Sequence, residues 1–111
     1  MMKATINLEQ YRTAGSKVFI GRDRGRDIRI KSKLDELIDN EGTIEIIVPE
    51  EVMSVNPSFL EEFLFNAVKK LGKERFNEKV IFKNGSTRYD VKSDVDEAID
   101  RILRSNNALA K

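Results

Sequence analysis

Hydrophobic residues along this chain repeat in some stretches at every second position and in others at every third or fourth, the signatures of strands and amphipathic helices. Thr5-Ile6-Asn7-Leu8-Glu9 alternates polar and apolar and predicts a half-buried strand. Arg12 to Ser16 has turn composition, and Lys17-Val18-Phe19-Ile20 reads as a second strand, so the two together predict an opening β-hairpin closed by Gly21. From Asp23 to Asn40, Ile28, Leu34, Leu37 and Ile38 share one helical stripe, with Ile30 off to its side. Thr43 to Val48 is β-branched and nearly continuously apolar, which predicts a central strand covered on both faces.

The next helix has the clearest start signal. Asn56 can cap, Pro57 suits the first helical position, and Glu61 and Glu62 lie near the positive end of the macrodipole. A wide apolar face follows, from Phe59 to Leu71, and Lys69, Lys70 and Gly72 supply the stop signal. Lys79 to Phe82 predicts a strand, Asn84-Gly85 a turn, and Arg88 to Val91 a short edge strand. Ser93 and Asp96 approximate a capping box opening a last helix with Val95, Ala98, Ile99, Ile102 and Leu103 inward, and the residues from Asn106 are expected to fray.

This order predicts an α/β fold bordering on α+β: a mixed β-sheet with an N-terminal hairpin and about three helices, mainly on one face. A single domain is expected over residues 1–111, with its core between about residues 4 and 104.

Composition narrows the chemistry. The chain has no histidine and no cysteine, which removes the usual general base, the thiolate nucleophile and nearly all zinc sites. Paired carboxylates could still act as acid and base, yet the acidic residues mostly alternate with Lys or Arg on helix surfaces, where solvation explains them. A non-enzymatic role without a cofactor is therefore expected. The formal net charge of +1 argues against a dedicated nucleic-acid binder. No stretch approaches the apolar length that spans a membrane, nor does the N-terminus lead into a signal-like core, so a cytoplasmic location is expected.

Charge is nevertheless uneven. Arg22, Arg24, Arg26 and Arg29 crowd a strand-to-helix junction, where helix amides and guanidinium groups can hold an anion, a nucleotide or a nucleic-acid phosphate. The glycine spacing matches neither common phosphate-loop motif. The competing reading is a salt-bridged helix start in which Gly25 permits close packing. From Glu41 to Glu62 the chain carries no Lys or Arg, so the loop between Pro49 and Asn56 is expected to be acidic and to steer a basic partner, or simply to be soluble. In that loop Val52 and Val55 read as core, whereas Met53 is open to either role.

At this loop the chain resembles the STAS-like family of small bacterial, archaeal and phage-associated domains, distant relatives of the STAS domains of anti-sigma factor antagonists. The resemblance spans about residues 15 to 103 and rests on Gly21-Arg22, Gly25 and Ile28-Arg29, on the Ile44–Val48 strand, and above all on Ser54 to Glu62, which is similar to the family's S-x-x-P-S-F-x-D-E-like signature. It implies a regulatory module that binds a protein partner, a histidine-kinase-like ATPase, in a partner switch. The resemblance places partner contacts at Met53, Asn56, Ser58, Glu61 and Glu62. Asn56 and Pro57 stand where the antagonists carry an aspartate and the phosphoacceptor, which leaves Ser58 as the candidate phosphoacceptor.

Overall fold

The computed structural model describes residues 3–40, 42–85 and 89–109. Strand β1 (Lys3–Asn7) leads through a single 3-10 turn to β2 (Val18–Phe19), helix α1 (Arg22–Ser32) and helix α2 (Leu34–Asn40). Then come β3 (Thr43–Val48), β4 (Ser54–Val55), the long helix α3 (Pro57–Lys79), β5 (Val80–Asn84) and α4 (Lys92–Leu109). The fold is α/β.

The strands do not form the expected hairpin or a mixed sheet. β1 pairs with β3 and β3 with β5, both parallel, in the order β1-β3-β5, while β2 pairs with β4 as a separate parallel ribbon. Alternation identifies a strand but not its partner. The turn-like Arg12–Ser16 segment redirects the chain to a second sheet and does not fold it back on the first. Each step from β1 to β3 to β5 moves one place in the same direction, and right-handed crossovers then lay the connecting helices on one face. The burial of β3 records this: Ile44, Ile46 and Val48 are buried, while Thr43, Glu45 and Ile47 are only half-buried. The expectation that β3 is covered on both faces is thus corrected. On its open face Glu45 takes Lys83 at 2.9 Å and Lys3 at 3.2 Å, tying all three strands together. The Lys83 ammonium, joined by Lys3, holds the Glu45 carboxyl below the ordinary carboxylate range.

The stripe expected from Asp23 to Asn40 is two helices. Lys33 takes a left-handed conformation (φ 58°) and its N–H closes onto the carbonyls of Arg29 and Ile30, so the chain turns before Leu34 and Ile38 enter the core. α3 begins as its sequence predicts: Asn56 Oδ1 accepts from the Ser58 N–H at 2.8 Å, with Pro57 in the first turn. Gly72 breaks the helix (φ 78°, ψ 167°), but the chain re-enters helix and runs on to Lys79, burying Phe76. Phe59, Leu60, Phe63, Leu64, Ala67 and Val68 are all buried on α3, each large side chain adding about 1.5–3 kcal/mol.

α1 and α4 both pack against α3. The α1 crossing is tight because a Cβ on Gly25 would stand 2.2 Å from the Phe59 carbonyl oxygen and 3.2 Å from Glu62 Cβ. Tyr89, Asp90 and Val91 form no strand, and Arg88 lies outside the described residues. α4 starts earlier than the Ser93–Asp96 capping box predicts: Asp90 Oδ1 receives the Lys92 N–H, Asn84 Oδ1 receives that of Val91, and Val95 N–H reaches the Val91 carbonyl. Its backbone is helical to Leu109.

Candidate functional site

The β2–β4 ribbon is short, and its geometry follows from a few hydrogen bonds. Met53 N–H donates to the Lys17 carbonyl at 2.7 Å and Asn56 N–H to the Phe19 carbonyl at 2.8 Å. Phe19 and Val55, opposite one another in register, both point into the core. The Phe19 ring lies 5.3 Å from Phe59, which in turn lies 5.8 Å from Phe63, so the ribbon is fastened to the first two turns of α3 by an aromatic row.

With Phe19 inward, its neighbours must face out. Val18 is 39% exposed, Ile20 59% and Met53 43%, three large apolar side chains on the ribbon or its immediate flanks. Glu50, Glu51 and Ser54 are exposed beside them. Four consecutive residues, Lys17 to Ile20, cannot all be buried on a strand with one covered face; that parity was the signal pointing to Val18 and Ile20 as surface residues, and only Met53 was singled out beforehand.

The acidic character expected of this lip is partly cancelled. Glu51 pairs with Arg12 at 3.2 Å, and Glu45 lies on the open face of the three-stranded sheet, away from the lip. Glu61 is a buttress between three helices: its carboxylate, only 14% exposed, takes Arg22 from α1 at 3.4 Å and Arg101 from α4 at 3.1 Å. The Glu61 hydrogen bond raises the Arg101 guanidinium above its ordinary range, with nearby Glu97 adding to it. Sequence could not foresee a partner forty positions away. Glu62 offers its backbone carbonyl to Arg29, and its side chain is half-buried where α1 crosses. Asn56 is spent on its cap; Ser58 is half-buried in the first turn, while Ser54 is the more exposed hydroxyl on this rim.

The four arginines do not converge on one anion cradle. Arg22 serves Glu61, Arg24 binds the Tyr11 carbonyl and Thr13 Oγ1, Arg26 binds Asp23 at 2.8 Å, and Arg29 holds the Glu62 carbonyl with Asp35 at 3.7 Å. The salt-bridged helix start, with Gly25 at the crossing, describes this segment.

One further residue closes the site. The Tyr89 hydroxyl accepts the Val55 N–H at 3.0 Å and donates to Asp94, binding the start of α4 to the ribbon. Burial, then the Asp94 hydrogen bond, pushes the Tyr89 hydroxyl above the usual tyrosine range. The folded state therefore favours the neutral phenol. Its contribution is complete below the unfolded value of about 10 and is lost as pH rises through the folded value. Tyr89→Phe strands the Val55 N–H and is expected to cost about 1–2 kcal/mol near neutral pH. In urea titrations at about pH 8 and about pH 10.5 the deficit should shrink at the higher pH.

Comparison with family models, curated proteins and solved structures returns no match to this chain. Among the described residues, no helix is long and apolar enough to cross a membrane.

Proposed function

We propose that this chain is a non-enzymatic regulatory module that docks a protein partner through the β2–β4 ribbon and the start of α3. The observation that carries the reading is the exposed set Val18, Ile20 and Met53, on or beside a ribbon whose Phe19 and Val55 are locked in the core. The β-branched Val18 and Ile20 are stiff and lose little entropy on binding, the flexible Met53 can adapt to the partner's surface, and all three release water on contact. Glu50 and Glu51 form a polar rim beside them, the layout typical of a transient interface.

The resemblance at Ser54 to Glu62 supports a finer reading, in which the partner is a histidine-kinase-like ATPase and Ser58 is the switch. A phosphate on Ser58 would carry close to two negative charges at the positive end of α3. Glu61, one turn on, would repel it less than its charge alone suggests, because Arg22 and Arg101 already balance that carboxylate.

Affinity capture with the chain, identification of any retained ATPase and calorimetry on the purified pair test both levels. The paired change Val18→Asp with Met53→Asp is expected to weaken binding by about tenfold or more. Undiminished affinity in that variant would refute the docking surface. Capture of partners that include no ATPase, or no phosphate on Ser58 after incubation with the partner and ATP, would refute the finer reading alone.

A further inference from the structure

Successive residues of a strand turn their backbone groups to opposite sides. Asn56 gives its N–H to the Phe19 carbonyl of β2, so Val55 before it turns its own N–H away, to the outer edge of β4. No strand meets it there. The Tyr89 hydroxyl accepts it at 3.0 Å and passes its own proton to the Asp94 carboxylate, in the first turn of α4. A single hydroxyl thus stands between two elements far apart in the chain.

The loop that carries Tyr89 is anchored independently of the ribbon. Asn84, the last residue of β5, accepts the Val91 N–H at 3.0 Å, Asp90 accepts that of Lys92 at 2.9 Å, and Val91 is buried. Tyr89 therefore cannot follow the ribbon if the ribbon lifts. Opening of the ribbon takes the Val55 N–H from the hydroxyl, and fraying of α4 takes away its acceptor. Both elements are of the weakly held kind: the ribbon has two residues per strand, and the first turn of a helix lacks part of its hydrogen bonding. Both also rest on α3, so a test must separate the hydroxyl from that shared support.

We infer that Tyr89 is a latch that makes the β2–β4 ribbon and the first turn of α4 one opening unit, so that whatever steadies or loosens one does the same to the other. Such coupling is reciprocal. A change confined to α4 alters how often the ribbon opens, and a change confined to the ribbon alters how often α4 frays. The latch belongs to the fold and stands or falls apart from the docking proposed above. Its consequence for a partner does rest on that docking: a guest held on Val18, Ile20 and Met53 would quiet the start of α4.

Amide hydrogen exchange on the intact chain tests the latch without any partner. The readouts are the amides of Met53 and Asn56 in the ribbon, of Val95, whose N–H meets the Val91 carbonyl in the first turn of α4, and of β3 as a reference. Asp94→Ala lies wholly in α4, yet it is expected to speed exchange of Met53 and Asn56 by about three- to tenfold, because the hydroxyl loses its acceptor. Tyr89→Phe should speed the ribbon and Val95 together, and adding Asp94→Ala to it should bring no further change in the ribbon. Asp94→Asn keeps an acceptor and should stay close to the unmodified chain. The β3 amides should hold throughout. Unchanged ribbon exchange in Asp94→Ala, a further rise in the combined variant, an equal rise in β3, or Asp94→Asn as disruptive as Asp94→Ala would each overturn the inference.

Discussion

Replacing Gly25 with alanine is expected to destabilise the protein by about 3 kcal/mol, although alanine is the better helix former by about 1 kcal/mol. Gly25 sits inside α1 with ordinary helical geometry, so its backbone needs no glycine. Space decides the sign. The added methyl would stand 2.2 Å from the Phe59 carbonyl oxygen, a backbone atom fixed in the first turn of α3, with Glu62 Cβ 3.2 Å away. α1 can relieve the clash only by lifting off α3, which would strain Arg29 on the Glu62 carbonyl and Arg22 on Glu61. For a domain of this size the change amounts to a fall of roughly 12–24 °C in Tm. Thermal unfolding followed by circular dichroism reads it directly, and an unchanged or raised Tm would mean that the helices do not cross this closely.

Phe19→Ala is expected to cost about 3–5 kcal/mol if the ribbon stays in place. Phe19 is 2% exposed and is the ring through which β2 reaches Phe59. A ribbon of two residues per strand has little else to hold it, so the chain has a cheaper response: the ribbon opens while the rest stays folded, which caps the global loss. Hydrogen exchange distinguishes the two. The amides of Met53 and Asn56, bonded to the Lys17 and Phe19 carbonyls, should lose protection well before those of β3. Uniform loss across both would show that ribbon and sheet unfold as one. The partner binding proposed for Val18, Ile20 and Met53 should fall in this variant even where the core survives.

The parts of the fold that sequence foretold are those set by neighbours in the chain. Asn56, Pro57 and the apolar face of α3 act within a few turns, so the start of that helix could be placed to the residue. Gly72 read as the end of that helix; the backbone does break there, but the helix returns and runs to Lys79, because Phe76 has a place in the core, which is a tertiary fact. Lys33 in a left-handed turn has no local marker, because lysine is not a residue that prefers it. Strand partners were least legible: β1 meets β3 some forty positions away, and short-range turn composition is silent about that. The same divide runs through the candidate site. Met53 faces solvent, as its place in an apolar but edge-lying loop allowed. Glu61, a partner contact by the resemblance, is claimed by Arg22 and Arg101 from other helices.

The break at Gly72 divides the labour of the longest element. The turns before it carry Phe59 and Phe63, which seat the ribbon; the turns after it carry the buried Phe76 and lead straight into β5. An unbroken rod would transmit any tilt from one end to the other. A rod jointed at a single glycine lets its two ends point in different directions, so that the ribbon at one end and the sheet at the other are each packed without either one dictating the posture of the other.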